Sequence, residues 1–185
     1  MLNILERSAS MKLLVKVCKD KNAQKGGHMA TPNIVLTRID NRLIHGQVGV
    51  TWVSSVGANL ILVADDETAG NDLMQQLMAT TAKQAGVAVR FWTVQKTIET
   101  IHKASEKQKI FIVAKTPDTV LKLMEGGVPI TEVNVGNMHF SEGKRQISKK
   151  VYVDDKDVAD LKAIEAKGAA VYIMDVPGEA KERVK

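Results

Sequence analysis

The chain has 185 residues, 44% apolar and 25% charged, which suffices for one hydrophobic core and excludes both a disordered tail and a collagen-like repeat. A formal charge of +5 would ordinarily invite a nucleic-acid or anionic-membrane reading. The excess is local, however: six of the 26 basic residues but only two of the 21 acidic ones fall within residues 1–29, leaving 20 against 19 in a nearly neutral remainder with no nucleic-acid signature.

Residues 1–29 end in Gly26-Gly27-His28-Met29 before Ala30, the form of a vector scar ahead of a cloned start codon, so they are expected to be a vector-derived leader and residues 30–185 the folded domain. A secretory signal fits poorly, because Lys16 interrupts the short apolar run before Cys18. Cys18 is the only cysteine, so the body has neither a disulfide nor a thiolate metal site. No apolar stretch approaches the ~20 residues that span a bilayer. A soluble body is expected, and a reducing compartment is permitted.

In chain order, strand-like apolar runs at 34–36, 60–63, 87–92, 110–113, 133–135 and 170–174 alternate with helical patterns. Val48, Trp52 and Val56 recur every fourth residue, as do Leu73 with Leu77 and Met74 with Met78, while Ile98 and Ile101 are three apart. Thr116-Pro117-Asp118 reads as a helix start leading to Val120, Leu121 and Met124; Asp154 opens another carrying Val158, Leu161 and Ile164. Gly57, Gly86 and Gly168 each stand where a helix ends and a strand begins. Residues 143–153 fit a further strand at one side. The expected fold is α/β: a single-domain open, mostly parallel sheet with helices on both faces. Such sheets bind ligands beyond the carboxyl ends of their strands.

There the first strand leads into Arg38-Ile39-Asp40-Asn41-Arg42-Leu43-Ile44-His45-Gly46-Gln47, expected as one loop crowding two arginines, an acid and a histidine. Arginine matches phosphate oxygens with a planar fork. The backbone amides from Gly46 and Gln47 would open a helix and cradle an anion. Neutral imidazole is a nucleophile near pH 7, so the loop fits a phosphoryl group on or beside His45. A surface ion-pair cluster of little energetic worth is the plainer alternative. Phosphate-loop, dinucleotide-binding and nucleophile-elbow motifs do not occur, and no cofactor or metal is expected.

Elsewhere, Asp65-Asp66-Glu67 ends a strand and fits either Mg²⁺ binding or, better, a helix amino end. Asn134-Val135-Gly136-Asn137-Met138-His139 leaves another strand, its polar groups facing the His45 loop or merely making a turn. Asn137, His139 and Asp66 are thus supporting candidates. Lys144, Arg145, Lys149 and Lys150 form a basic patch suited to a solvated face or an acidic partner.

The stretch from Ile34 to Val48, with its R-x-D-x-R-[LIV]-[IV]-H-G-Q string, closely resembles the opening of the IIB component of the mannose/fructose/sorbose family in the bacterial phosphoenolpyruvate-dependent sugar phosphotransferase system. The similarity runs from about Pro32 to the end. The phrases around Phe91-Trp92 and Asn137-Met138-His139 resemble the N-acetylgalactosamine/galactosamine branch. The resemblance implies a mixed sheet and a cytoplasmic phosphocarrier in which His45 is phosphorylated at Nδ1 by the phosphohistidine of a IIA component. The sugar acceptor would be held by membrane IIC and IID components, with membrane association through these partners only. Arg38 and Arg42 are then expected to neutralise the transferring oxygens and Asp40 to orient His45 or an arginine. Homo-oligomer formation is left open. A non-catalytic module holding a phosphorylated ligand is the alternative, and a metal-dependent hydrolase built on Asp65, Asp66 and His139 is a third reading.

Overall fold

The computed structural model describes residues 31–184; the expected leader lies outside the described residues. Eight strands are present: β1 (Ile34–Asp40), β2 (Leu60–Ala64), β3 (Ala88–Trp92), β4 (Ile110–Ala114), β5 (Glu132–Asn137), β6 (Arg145–Ser148), β7 (Val151–Val153) and β8 (Ala170–Ile173). Six form one sheet in the order β3-β2-β4-β1-β5-β8, every neighbouring pair parallel. Antiparallel pairing is confined to the β6–β7 ribbon in residues 143–153 and to an isolated bridge between Ile173 and Glu182. The ribbon joins the sheet through Met138, which bonds both Lys150 and Tyr152 at 2.9 and 3.0 Å.

Continuous apolar runs put side chains on both faces of the sheet. One face, with Leu62, Ile112, Val133 and Val135, lies under α4 (Val94–Thr100), α5 (Pro117–Glu125) and α6 (Asp155–Ala166). The other, with Ile61, Val63 and Phe111, lies under a π-helical segment Gln47–Trp52, its continuation α1 (Val53–Val56), and α3 (Asp72–Gln84). A short α2 (Asp66–Ala69) precedes α3. Val48 and Trp52 are buried as their spacing predicts, and so is Met78. Leu73 and Leu77 are not: α3 turns these leucines to solvent and seats itself through Met78 and Ala82.

Local signals operate as read from sequence. Gly57, Gly86 and Gly168 take φ of 64°, 69° and 97° at the helix-to-strand joints. Thr116 caps α5 with Pro117 at the first position, and Asp154 forms a reciprocal capping box with Asp157 on α6. Among the described residues no helix is long and apolar enough to cross a membrane. Asp154→Ala removes the α6 cap and is expected to cost about 1 kcal/mol, read from the urea midpoint at unchanged slope.

Candidate active site

The central strand β1 continues past its apolar run to Asp40, so Arg38 and Asp40, expected in the loop, are strand residues, and both are completely buried. Charges leave water only when paired with their hydrogen bonds completed. Arg38 Nε and Nη2 donate to Asp40 Oδ2 at 3.3 and 3.0 Å. Its Nη1 donates to the Asn134 side-chain oxygen and to the Met174 carbonyl, the latter at 3.1 Å. Trp52 covers the guanidinium, with Cζ 4.9 Å from a ring centroid. Burial pushes the Arg38 pKa below its usual value, with Asp40 pulling it back up. All three nitrogens are engaged and the side chain is fully buried, so Arg38, expected to meet phosphoryl oxygens, is not presented to solvent.

β5 yields to this pair. The register slips so that Asp40 lies opposite Asn137 rather than Gly136, the irregularity of a bulge. A Cβ on Gly136 would overlap the Arg38 guanidinium, so only glycine fits. Gly136 and Asn137 are therefore strand residues, not a turn.

The other oxygen of Asp40 shapes the loop. Oδ1 accepts from the Arg42 backbone N at 3.1 Å and from its Nε at 3.3 Å, an Asx-type turn. Leu43 then takes φ 55° although fully buried, a left-handed conformation rare for a branched residue. That kink brings the Leu43 carbonyl 3.1 Å from His45 Nδ1. A carbonyl cannot donate, so Nδ1 carries the proton and the lone pair sits on Nε2. Nε2 is buried without a partner, 3.9 Å from Asp40 Oδ2. Desolvation lowers the His45 pKa below its ordinary 6.5, opposed by Asp40 and the Leu43 carbonyl. The imidazole is neutral at pH 7.

Beyond His45 the chain enters the π segment, with Gly49 N donating to the His45 carbonyl at 2.8 Å. That bond has ordinary α spacing; the π segment it opens, Gln47–Trp52, is of a type frequent at functional sites. Gly46 precedes it as the cap residue, and Gly46 and Gln47 supply opening backbone amides with no intrahelical acceptor. The Gln47 side chain lies outside what the structure describes.

Asn41 carried no role in the sequence reading. Its N donates to the Asn137 carbonyl at 3.0 Å, its Nδ2 to the Lys115 carbonyl at 2.8 Å, and its Oδ1 accepts from His139 N at 2.5 Å. It staples the His45 loop to the segments leaving β4 and β5. Asn137 is buried beside Asp40 in register, its Nδ2 without a partner; the His139 ring is exposed at the same edge.

Asp66 is elsewhere. It accepts from Val94 N at 2.8 Å and so ties α2 to α4. Asp65 caps α2 and pairs with Lys115 at 3.0 Å, while Glu67 meets the same lysine at 2.6 Å. β4 and β1 separate β2 from β5, so Asp65, Asp66 and His139 do not meet in one site. No group of three or more metal-ligating side chains converges among the described residues. In the basic patch, Lys144, Arg145 and Lys150 are paired with Asp157, Asp155 and Asp175.

Residues 34–185 match the family described as PTS system sorbose subfamily IIB component. The chain is 59% identical over 156 residues to N-acetylgalactosamine-specific phosphotransferase enzyme IIB component 1 of Escherichia coli (strain K12), covering 84% of this chain and 99% of that protein. The crystal structure of PTS system N-acetylgalactosamine-specific IIB component 1 from Escherichia coli superposes with a TM-score of 0.81 at 59% identity, over 83% of this chain and all of the other. The PTS system mannose-specific EIIAB component of Escherichia coli (strain K12) is 36% identical over 149 residues, which is 80% of this chain but 46% of that longer protein.

The buried pair sets the expected energetics. Arg38→Met leaves the Asp40 carboxylate buried without its principal partner and is expected to cost about 3–5 kcal/mol. Gly136→Ala is expected to destabilise by displacing the same guanidinium. Arg42→Met, by contrast, at a partly exposed side chain, should stay within about 1 kcal/mol. Urea unfolding of the three variants compares them directly.

Proposed function

Because the chain belongs to the sorbose-subfamily IIB components of the phosphotransferase system, and is thereby a phosphotransferase enzyme component, we propose that His45 accepts a phosphoryl group from the phosphohistidine of a IIA component. It then passes the group to a sugar held by membrane IIC and IID components, working at the cytoplasmic side. The names of the relatives at 59% and 53% identity support N-acetylgalactosamine as that sugar. One observation carries the reading: a partly buried imidazole stands beyond the carboxyl end of the central strand, 3.9 Å from the buried Asp40 carboxylate whose other oxygen holds the partly exposed Arg42.

The transfer step balances once the attacking nitrogen is unprotonated; for attack by Nδ1, which carries the proton at rest, the ring first releases that proton to solvent water and takes one up on Nε2. A lone pair on the His45 ring attacks phosphorus, the donor's P–N bond leaves with its electron pair, and each ring keeps the proton on its other nitrogen. In the resting position neither nitrogen faces outward, because Nδ1 is bonded to Leu43 and Nε2 is sealed against Asp40. Acceptance therefore begins with a turn of the ring about Cβ–Cγ that breaks the Leu43 bond. With the proton moved to Nε2, the Asp40 carboxylate, 3.9 Å from that nitrogen at rest, is its acceptor, which leaves the Nδ1 lone pair to face the donor. The turned ring is thus held in one tautomer.

Arg42 supplies the charge. Its Nε is taken by Asp40, which leaves the terminal amino groups for phosphoryl oxygens. Arg38 acts through Asp40 and not on phosphorus. A single exposed arginine suits a carrier, since binding the phosphoryl group much more tightly would stabilise the loaded state and slow its release.

Incubation with phosphoenolpyruvate, the two general phosphotransfer proteins and a matching IIA should add one acid-labile, alkali-stable phosphate, absent from His45→Ala. A binding module would gain none. Arg42→Gln should slow loading by about 10²–10³-fold, as loss of one charge-stabilising donor does, while leaving the same residue labelled. Because burial lowers the His45 pKa from its ordinary 6.5, the acid-side half-maximum of the loading rate should lie below pH 6.5; a half-maximal rate at or above 6.5 contradicts the reading.

A further inference from the structure

Four large hydrophobic side chains are strongly exposed among the described residues: Val50 (48%), Leu73 (78%), Leu77 (71%) and Phe140 (68%). Isolated surface hydrophobics are ordinary; their distribution here is not. Val50 lies in the π segment that follows His45, and Leu73 and Leu77 lie on α3 of the same face of the sheet. The two elements back onto each other at Gly49, where a Cβ would come 2.8 Å from Thr81 Cγ2. Both start at the carboxyl edge of the sheet. One turn back from this contact along each element lie His45 and Leu77, and Leu73 is one turn farther toward the open edge.

Phe140 belongs to the same rim. It follows His139, whose backbone is bonded to Asn41 in the His45 loop. Tyr152 of β7 meets the Phe140 ring edge to face, with centroids 5.6 Å apart at 79°. An aromatic ring fixed in this way loses little freedom on contact, the property of an interface anchor.

We propose that Leu73, Leu77 and Phe140 form the docking rim on which the phosphorylated IIA component seats itself to load His45. This rests on the transfer reading above. The donor's phosphohistidine must reach a half-buried ring, so the donor surface around it must cover the elements that flank His45, and exposed apolar side chains lie on the elements at both flanks. The relative named as a mannose-specific EIIAB component carries a IIB-like part in 46% of a longer chain, which supports a IIA unit as a standing partner of this domain. A patch of a few residues is too small for a permanent interface and suits an exchange that must end after each transfer.

The test measures loading of the full chain by phosphorylated IIA at varied concentration, for the wild type, Leu73→Ser/Leu77→Ser and Phe140→Ala, and repeats each with phosphoramidate as a small-molecule donor. Truncating interface anchors should raise KM for IIA about tenfold or more. The rate at saturating IIA and the rate with phosphoramidate should stay within twofold. An unchanged KM overturns the proposal, as does an equal loss with phosphoramidate, which would mean a disturbed His45. Loss confined to delivery onto the membrane-held sugar also overturns it by assigning the rim to the acceptor, and conversion of a dimer to monomers assigns it to a second copy. Failure of the wild type to gain any label would instead sink the underlying transfer reading.

Discussion

The fully buried pair of Arg38 and Asp40 is the constraint on which the site depends. Removing both charges from water costs several kcal/mol per ion unless each finds its partners, and one strand cannot supply them all. Asn134 comes from β5, the Met174 carbonyl from the end of β8, and the Trp52 ring from the π segment. Gly136 contributes by lacking a side chain. The pair thereby fixes the relation of the central strand to β5, β8 and the helix after His45. Its rigidity is the reason a loop can hold a reactive ring in place.

The spare oxygen of Asp40 carries that order outward. It turns the chain at Arg42, the left-handed Leu43 completes the turn, and the Leu43 carbonyl receives the His45 ring. Desolvation keeps the imidazole neutral although a carboxylate lies close by. On the proposed transfer reading, this would give a nucleophile available without a strong base and a modest electrostatic hold on the loaded group. The Arg38 charge is buried, and the Arg42 charge remains near solvent.

Much of this was legible from sequence for local reasons. Alternating apolar runs and helical spacings imply the parallel sheet, and Gly57, Gly86, Gly168, Thr116 and Asp154 act through their own backbones and caps. The R-x-D-x-R string lies, as expected, at the carboxyl end of the first strand. The different burial of its two arginines was hidden, because it depends on residues far along the chain: Asn134 is 96 positions from Arg38 and Met174 is 136, with Gly136 close to the first. Alternation along β1 puts Arg38 and Asp40 on one face, but only the tertiary fold decides that this face is covered. Asn41 escaped notice for the same reason, since its partners are Lys115, Asn137 and His139. On α3 the spacing of Leu73 and Leu77 matched that of core residues, yet helical periodicity finds apolar stripes without saying which one the sheet covers.

A long-range proton–nitrogen correlation spectrum of the full chain labelled with nitrogen-15 histidine, recorded before and after loading, addresses the central claim most directly. Before loading, the His45 ring should carry a single proton, on Nδ1, at neutral pH; afterwards the proton should sit on Nε2, with phosphorus coupled to Nδ1 of the same ring. A ring protonated on both nitrogens at rest, or phosphorus coupled to any other residue in the loaded protein, would contradict the account.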